Sequence, residues 1–232
     1  VKIHTEFEQG SGDWLSARAG LITASEFDNI VTPEFKPRTG ETVQTYLATK
    51  LAERWIQGPL AGFSAFATEQ GNILEDEAKP WYSLEYGEEI TRVGLCVSDD
   101  GRVGCSPDGL LGEHGGIEIK CPECPAHVKY LLADELPKQY RAQVHGSMLV
   151  TGRPWWKFLS YRRGFPKFLL TVNRDADIEY KLQAVINDFL VLFEAGWQKL
   201  CERNGGPPPK RRVFVPSPES EDNPYVEVGI TP

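Results

Sequence analysis

The chain has 232 residues, 41% of them hydrophobic, six tryptophans and a formal net charge of −8. That length is ample for one α/β domain with a full core, and the apolar and aromatic content argues for a globular protein. No run of 18 apolar residues is present, which excludes a membrane-spanning helix, and the acidic balance argues against a general nucleic-acid binder unless Lys and Arg line a channel inside an acidic exterior.

The sequence as given begins at Val1 without a basic-then-apolar leader, so the cytoplasm is the default compartment. Five cysteines, at 96, 105, 121, 124 and 201, are an odd and scattered set that reads as reduced thiols rather than a disulfide scaffold. Cys121-Pro-Glu-Cys124 is a lone CxxC with no second pair at zinc-ribbon spacing.

In chain order, Trp14 to Arg18 predicts a short helical turn ended by Gly20. Thr23 with Glu26 predicts a capping box, Thr23 as N-cap, which puts Ser25 in a first helical turn favourable to an anion, with Arg18 close by. Residues 33–40 are a Pro/Gly-broken loop. A helix is predicted over Thr42 to Ile56 with Val43, Leu47, Leu51 and Trp55 as its core stripe, and another over Ala67 to Tyr86, bent or split at Pro80. Glu89 to Val97 reads as a strand and Asp99-Asp100-Gly101 as a turn.

The next stretch organises the chain. Gly104-Cys105-Ser106-Pro107-Asp108-Gly109-Leu110 and Gly116-Ile117-Glu118-Ile119-Lys120-Cys121 predict a hairpin turned over Leu111 to Gly115. Alternation puts Glu118 and Lys120 on one face and Ile117 and Ile119 on the other, with Asp108 coming round beside the polar face. Two such carboxylates repel by about 4 kcal/mol at 4 Å and an effective dielectric near 20. Protonation of one of them relieves this, or a divalent cation between them, Mg²⁺ or Mn²⁺, beside which a lysine suits the handling of an attacking water. The competing reading is a solvated hairpin with a Glu/Lys pair.

Helices follow from Pro125 to about Leu132 and from Pro137 to Met148. Strands are predicted at 155–161 and 168–172, joined by a basic turn, and then an amphipathic helix from Asp175 to Arg203 with Ile178, Leu182, Ile186, Phe189, Phe193, Trp197 and Leu200 on one stripe. Residues 1–204 form a single domain in this reading, and the Pro-rich charged stretch 205–232 a tail. His4, His114, His127 and His145 lack ligand-like spacing. The element order predicts an α/β fold with a mixed central sheet flanked by helices.

These motifs together resemble the phage lambda exonuclease family of viral recombination nucleases, within the restriction-endonuclease-like superfamily. The likeness rests on Trp14 with Arg18 and Leu21-Ile22-Thr23-Ala24-Ser25-Glu26, Gly71 with Glu75, Cys105 to Leu110, Glu118-Ile119-Lys120-Cys121-Pro122, and Tyr140 with Ala142-Gln143-Val144. It implies a Mg²⁺ site built from Asp108, Glu118 and the carbonyl of Ile119, with Lys120 beside the nucleophilic water and Glu75 and Gln143 in support. It implies that Arg18, Ser25 and Ser106 hold the 5′-phosphate of a DNA end.

The activity implied is 5′→3′ digestion of one strand of linear duplex DNA to mononucleotides, leaving a 3′ overhang, by a homotrimeric ring that works with a single-strand annealing protein. A structure- or site-specific endonuclease using the same metal chemistry is the alternative. Lys36, Arg38, Arg162, Arg163 and Lys167 are candidates for the channel surface. The family's apolar strand-separating wedge aligns with Thr68, which is not apolar, with Phe66 as a nearby substitute.

Overall fold

A serine starts the first helix: the Ser11 hydroxyl accepts the backbone N–H of Trp14 at 3.2 Å. The computed structural model describes residues 1–60, 69–209, 211–214 and 225–228. Strand β1 (Lys2–His4) precedes α1 (Gly12–Arg18), and β2 (Ile22–Thr23) leads into a 3-10 helix over Ala24–Asn29. Then come α2 (Glu41–Ile56) and α3 (Glu69–Tyr86), the latter running through Pro80 without a break. Phe66 and Thr68, the wedge candidates, lie outside the described residues.

The strand expected over Glu89 to Val97 is two strands. β3 (Ile90–Thr91) and β4 (Leu95–Val97) belong to different sheets, with Gly94 at the crossing. The reason is steric: a Cβ on Gly94 would stand 2.2 Å from the carbonyl oxygen of Phe7, so backbone passes backbone where only glycine fits. β4 and β5 (Val103–Cys105) join β1 and β2 in a four-stranded sheet ordered β1-β4-β5-β2, in which β2 and β5 are parallel.

The predicted hairpin is present as β6 (Gly109–Leu111) and β7 (Gly115–Lys120), antiparallel, with Gly109 opposite Ile117. Helices α4 (Cys124–Ala133) and α5 (Arg141–Thr151) follow, the latter preceded by a 3-10 turn over Lys138–Tyr140 where the sequence predicts one helix from Pro137. β8 (Trp155–Ser160) returns parallel to β7, and β9 (Phe168–Asn173) closes a five-stranded sheet ordered β3-β6-β7-β8-β9. The fold is thus mixed α/β as expected, with two mixed sheets rather than one.

Alternation along β7 and β8 separates two cores. Ile117, Ile119 and Leu159 face α3, where Ala78 and Tyr82 are fully buried. Trp156 and Phe158 face Val144 and Met148 of α5 and Leu182, Ile186 and Phe189 of α6 (Ala176–Asn204). Each such large apolar side chain contributes about 1.5–3 kcal/mol by leaving water. Gly116 serves this packing, since a Cβ there would stand 2.3 Å from the Trp156 ring. Glu118 therefore lies on the α5 side of the sheet and is 1% exposed, which rules out the solvated-hairpin reading.

Arg153 locks the hairpin turn from across the sheet, donating to the carbonyls of Gly112 at 2.8 Å and Gly115 at 2.6 Å. Bonds from a charged donor contribute about 1.5–3 kcal/mol, so Arg153→Ala is expected to lower Tm by roughly 5 °C in a thermal melt.

The α2 stripe is core only in part. Tyr46 and Leu51 are buried, while Val43 and Leu47 are half-buried and Trp55 meets Trp197 edge-on at 5.7 Å. Lys50 and Glu53, which a helical pattern assigns to solvent, are buried instead. α6 begins at Asp175, whose carboxylate accepts two backbone N–H groups, and ends at Gly205 in the left-handed conformation. Beyond it, β10 (Arg211–Phe214) and β11 (Tyr225–Val228) pair antiparallel, a ribbon the sequence reading did not anticipate. Among the described residues no helix is long and apolar enough to cross a membrane.

Candidate active site

Asp108 stands at the entry to β6, and its carboxylate accepts the backbone N–H of Ile119 at 2.5 Å. The hairpin thus brings Asp108 beside Glu118 and Lys120, as the sequence predicts. Lys120 Nζ lies 2.6 Å from Glu118 Oε1, and Gln143 Nε2 on α5 donates to the same oxygen at 2.6 Å. The other oxygen, Glu118 Oε2, is buried without a hydrogen-bond partner. Lys120 also sits 5.2 Å from the centre of the Tyr140 ring.

The electrostatics of this cluster follow from its carboxylates. Burial, then Glu118 and Glu75, push the Asp108 carboxyl well above the ordinary carboxylate range. For Lys120, burial disfavours the charged form, but Glu118 and Asp108 outweigh it and raise the group above an ordinary lysine. Glu75 on α3 reaches the cluster through this field: it adds to the rise of Asp108 and, after burial, to that of Cys121, which is pushed up to about 12, while its own side chain pairs with Lys79 at 2.7 Å. Asp108 and Glu118 are the side chains with the chemistry to hold a hard divalent cation. Among the described residues no three His, Cys, Asp or Glu side chains assemble as a metal-holding group.

The second half of the site is built on α1 and the 3-10 helix. Arg18 Nη1 donates to Ser106 Oγ at 2.9 Å, and Nη2 donates to Thr23 Oγ1 and Ser25 Oγ, each at 3.0 Å. The three predicted anion ligands therefore meet, with the guanidinium resting 4.4 Å from the Trp14 ring centre. Trp14 Nε1 donates to Ser106 Oγ at 3.1 Å and holds it from the other side. Burial lowers Arg18, with Glu26 the strongest opposing influence.

The capping box does not form. The helix there is a six-residue 3-10 segment, and the Thr23 hydroxyl donates to Glu26 Oε2 at 2.7 Å instead of capping backbone. The pocket relies on a guanidinium and hydroxyls, not on a helix end.

A cleft of about 180 Å³ is lined by Ala24, Ser25, Asp28, Gln139, Tyr140 and Gln143, so that Ser25, which Arg18 contacts, and Gln143, which donates to Glu118, border one space. Ser106 and Asp108 flank Pro107, whose carbonyl accepts Gln9 Nε2 at 2.8 Å, as does that of Val93. Gln9 thus fixes the loop carrying both residues. No spacing in the sequence reveals a side chain that acts on backbone 98 positions away.

The candidate channel residues are mostly engaged. Arg163 pairs with Glu77, Arg162 with Glu123, Lys167 with the carbonyls of Arg162 and Phe165, and Arg38 with that of Val31. Lys36 is exposed. His127 is structural, its ring bound to Ser160 and the Pro166 carbonyl. Burial lowers His145 to about 4.

The family model described as a YqaJ-like viral recombinase domain matches residues 13–154, a span that contains both halves of the site. The crystal structure of LHK-Exo in complex with dAMP superimposes with a TM-score of 0.75 at 30% identity, covering 84% of this chain and 98% of that one. That of the alkaline exonuclease LHK-Exo from Laribacter hongkongensis matches with the same TM-score and coverage at 29% identity. A phage related exonuclease from Haemophilus somnus 129PT shares the fold, with a TM-score of 0.58 at 13% identity over 78% of this chain and 96% of its own. No curated protein matches the sequence. Because the family match covers more than half of the chain and the structural likeness spans nearly the whole of LHK-Exo, the chain belongs to the YqaJ-like viral recombinase family, with the fold of the lambda-type alkaline exonucleases.

Proposed function

We propose that the chain is a Mg²⁺-dependent 5′→3′ exonuclease that grips the 5′-phosphate of a linear duplex end, releases mononucleotides and leaves a 3′ overhang for strand annealing. Family membership supports the nuclease role. The observation that supports the finer reading is that Arg18 gathers Ser25 and Ser106 two residues from Asp108 of the Asp108–Glu118–Lys120 cluster, with Ser25 and the Glu118 partner Gln143 bordering one cleft. Ser106 and Asp108 are two residues apart, and that much extended chain reaches about 7 Å. An anchored end phosphate then sits roughly one nucleotide step from the carboxylates, which suits removal of one nucleotide at a time. That the LHK-Exo structure holds dAMP, a nucleoside monophosphate, agrees with this product class.

The residues fit a divalent cation. Glu118 Oε2 is a buried oxygen without a partner, and burial, with two neighbouring carboxylates, disfavours the charged form of Asp108. Asp108, Glu118 and the Ile119 carbonyl would hold Mg²⁺, or Mn²⁺ in its place, which supplies charge stabilisation to the scissile phosphate and acidity to a bound water. Lys120 orients the attacking water and offsets charge developing at phosphorus, Gln143 fixes Glu118, and Glu75 adds a carboxylate from α3. A ring-shaped homotrimer, in which three modest basic surfaces combine inside an acidic exterior, and a single-strand annealing partner docked on α6 or the C-terminal stretch complete the proposal.

The test uses Mg²⁺ with linear duplex bearing 5′-phosphate, the same duplex with 5′-hydroxyl, and a covalently closed circle. Mononucleotide release from the phosphorylated duplex with the circle intact supports the reading; nicking of the circle replaces it with an endonuclease. Arg18→Ala is expected to lower kcat/KM on the phosphorylated end by about 10–100-fold, the effect of losing charge-assisted contacts. Unchanged turnover of that end by the variant removes Arg18 from end recognition.

A further inference from the structure

The anion pocket is backed by charged groups that neither half of the site uses. Lys50 of α2 is 3% exposed, and its ammonium lies 2.9 Å from Glu26 Oε2 and 3.0 Å from Glu53 Oε2. Glu53 is itself 4% exposed, and its Oε2 also accepts the backbone N–H of Gly20 at 2.9 Å, just past the end of α1. Glu26 Oε2 accepts the Thr23 hydroxyl at 2.7 Å, and that hydroxyl in turn accepts Arg18 Nη2 at 3.0 Å. One hydroxyl separates the carboxylate from the guanidinium.

Such a triad is a poor device for stability. Burying Lys50 and Glu53 and largely covering Glu26 costs desolvation that well-packed apolar residues of the same volume avoid, so the triad points to a positional task. The task follows from the partners of Arg18, which are the hydroxyls of Ser106, Thr23 and Ser25, with no ion pair among the described residues. A guanidinium free to close on Glu26 would form a charge-assisted, fork-shaped pair that an incoming phosphate has to break. Hydroxyls are exchanged more readily.

We propose that Lys50 is a positioning residue for end recognition: it holds Glu26 and Glu53 so that the Glu26 carboxylate stays off Arg18, leaving the guanidinium to partners that a terminal phosphate can displace. This rests on the reading of Arg18, Ser25 and Ser106 as the 5′-phosphate pocket. α2 contributes no contact to the cleft, so Lys50 acts entirely through Glu26.

The experiment measures kcat/KM, with Mg²⁺, for 5′-phosphorylated and 5′-hydroxyl duplexes of one sequence, and takes their ratio. Lys50→Met is expected to lower the ratio about tenfold, through KM for the phosphorylated duplex, as the unpaired carboxylate turns to Arg18. Lys50→Met combined with Glu26→Gln restores the ratio, because the competing charge is gone. Glu26→Gln alone keeps or raises it, and this variant decides the matter where Lys50→Met does not fold. A Lys50→Met enzyme that loses activity on both ends alike, with the ratio unchanged, overturns the proposal, since a structural defect does that. A fall in the ratio for Glu26→Gln overturns it too, by making Glu26 a helper of Arg18. A wild-type ratio near one overturns the phosphate pocket itself and the role of Lys50 with it.

Discussion

Lys120→Ala is expected to lower turnover of a phosphorylated linear duplex by about 10²–10⁴-fold, the range for removing a positioned proton-handling group, while duplex binding persists. The two effects separate because the proposed grip on the DNA end lies elsewhere, at Arg18 and the hydroxyls of Ser25 and Ser106. Lys120 Nζ instead contacts Glu118 at 2.6 Å, and the Lys120 side chain is 28% exposed beside a carboxylate that is enclosed. Single-turnover cleavage reports the chemical step, and fluorescence anisotropy with labelled duplex reports binding. Lys120→Arg is expected to remain impaired, since a planar guanidinium neither fits the Glu118–Tyr140 slot nor donates along the same direction as an ammonium. Wild-type turnover in the alanine variant would remove Lys120 from the mechanism.

How far the sequence carried this reading varies by residue. Alternation in Ile117-Glu118-Ile119-Lys120 was enough to place Glu118 and Lys120 together, and the glycines around Glu113 and His114 were enough to fold Asp108 back beside them. Alternation is silent on what covers a face, so the complete burial of Glu118 beneath Gln143 appears only in three dimensions. The same limit hid the buried Lys50 and Glu53, because a helical pattern sorts charges outward unless a partner from another segment draws them in. Gly94 looked like an ordinary residue late in a strand; its role depends on Phe7, a neighbour only after folding. Arg18, Ser25 and Ser106 do come together, but through hydroxyls around the guanidinium rather than at the helix terminus that the sequence suggests.

Asp108→Asn is the substitution expected to move activity and stability in opposite directions. Its folded carboxyl is raised well above the ordinary carboxylate range by burial and by Glu118 and Glu75, so the native state binds a proton more tightly than the unfolded chain does. Stability then falls as pH rises from about the unfolded value through the folded one, because over that window the native protein holds protons that the unfolded chain has released. At neutral pH in EDTA the wild type therefore bears a folding cost, either in holding a proton that the unfolded chain has released or in enclosing a repelled carboxylate. Asparagine keeps an oxygen to accept the Ile119 N–H and removes the charge. Relief of roughly 1–3 kcal/mol raises Tm by several degrees in EDTA at pH 8 and by little near pH 4. Mg²⁺ held as proposed is expected to reverse the ranking, raising the wild-type Tm by supplying a counter-charge and that of the variant far less. Cleavage falls in the variant by about 10²-fold or more, as expected when a group stabilising the transition state is lost. Equal melting temperatures for the two proteins across this pH range in EDTA would show that Asp108 is not under electrostatic strain, and equal Mg²⁺ shifts would show that it does not hold the ion.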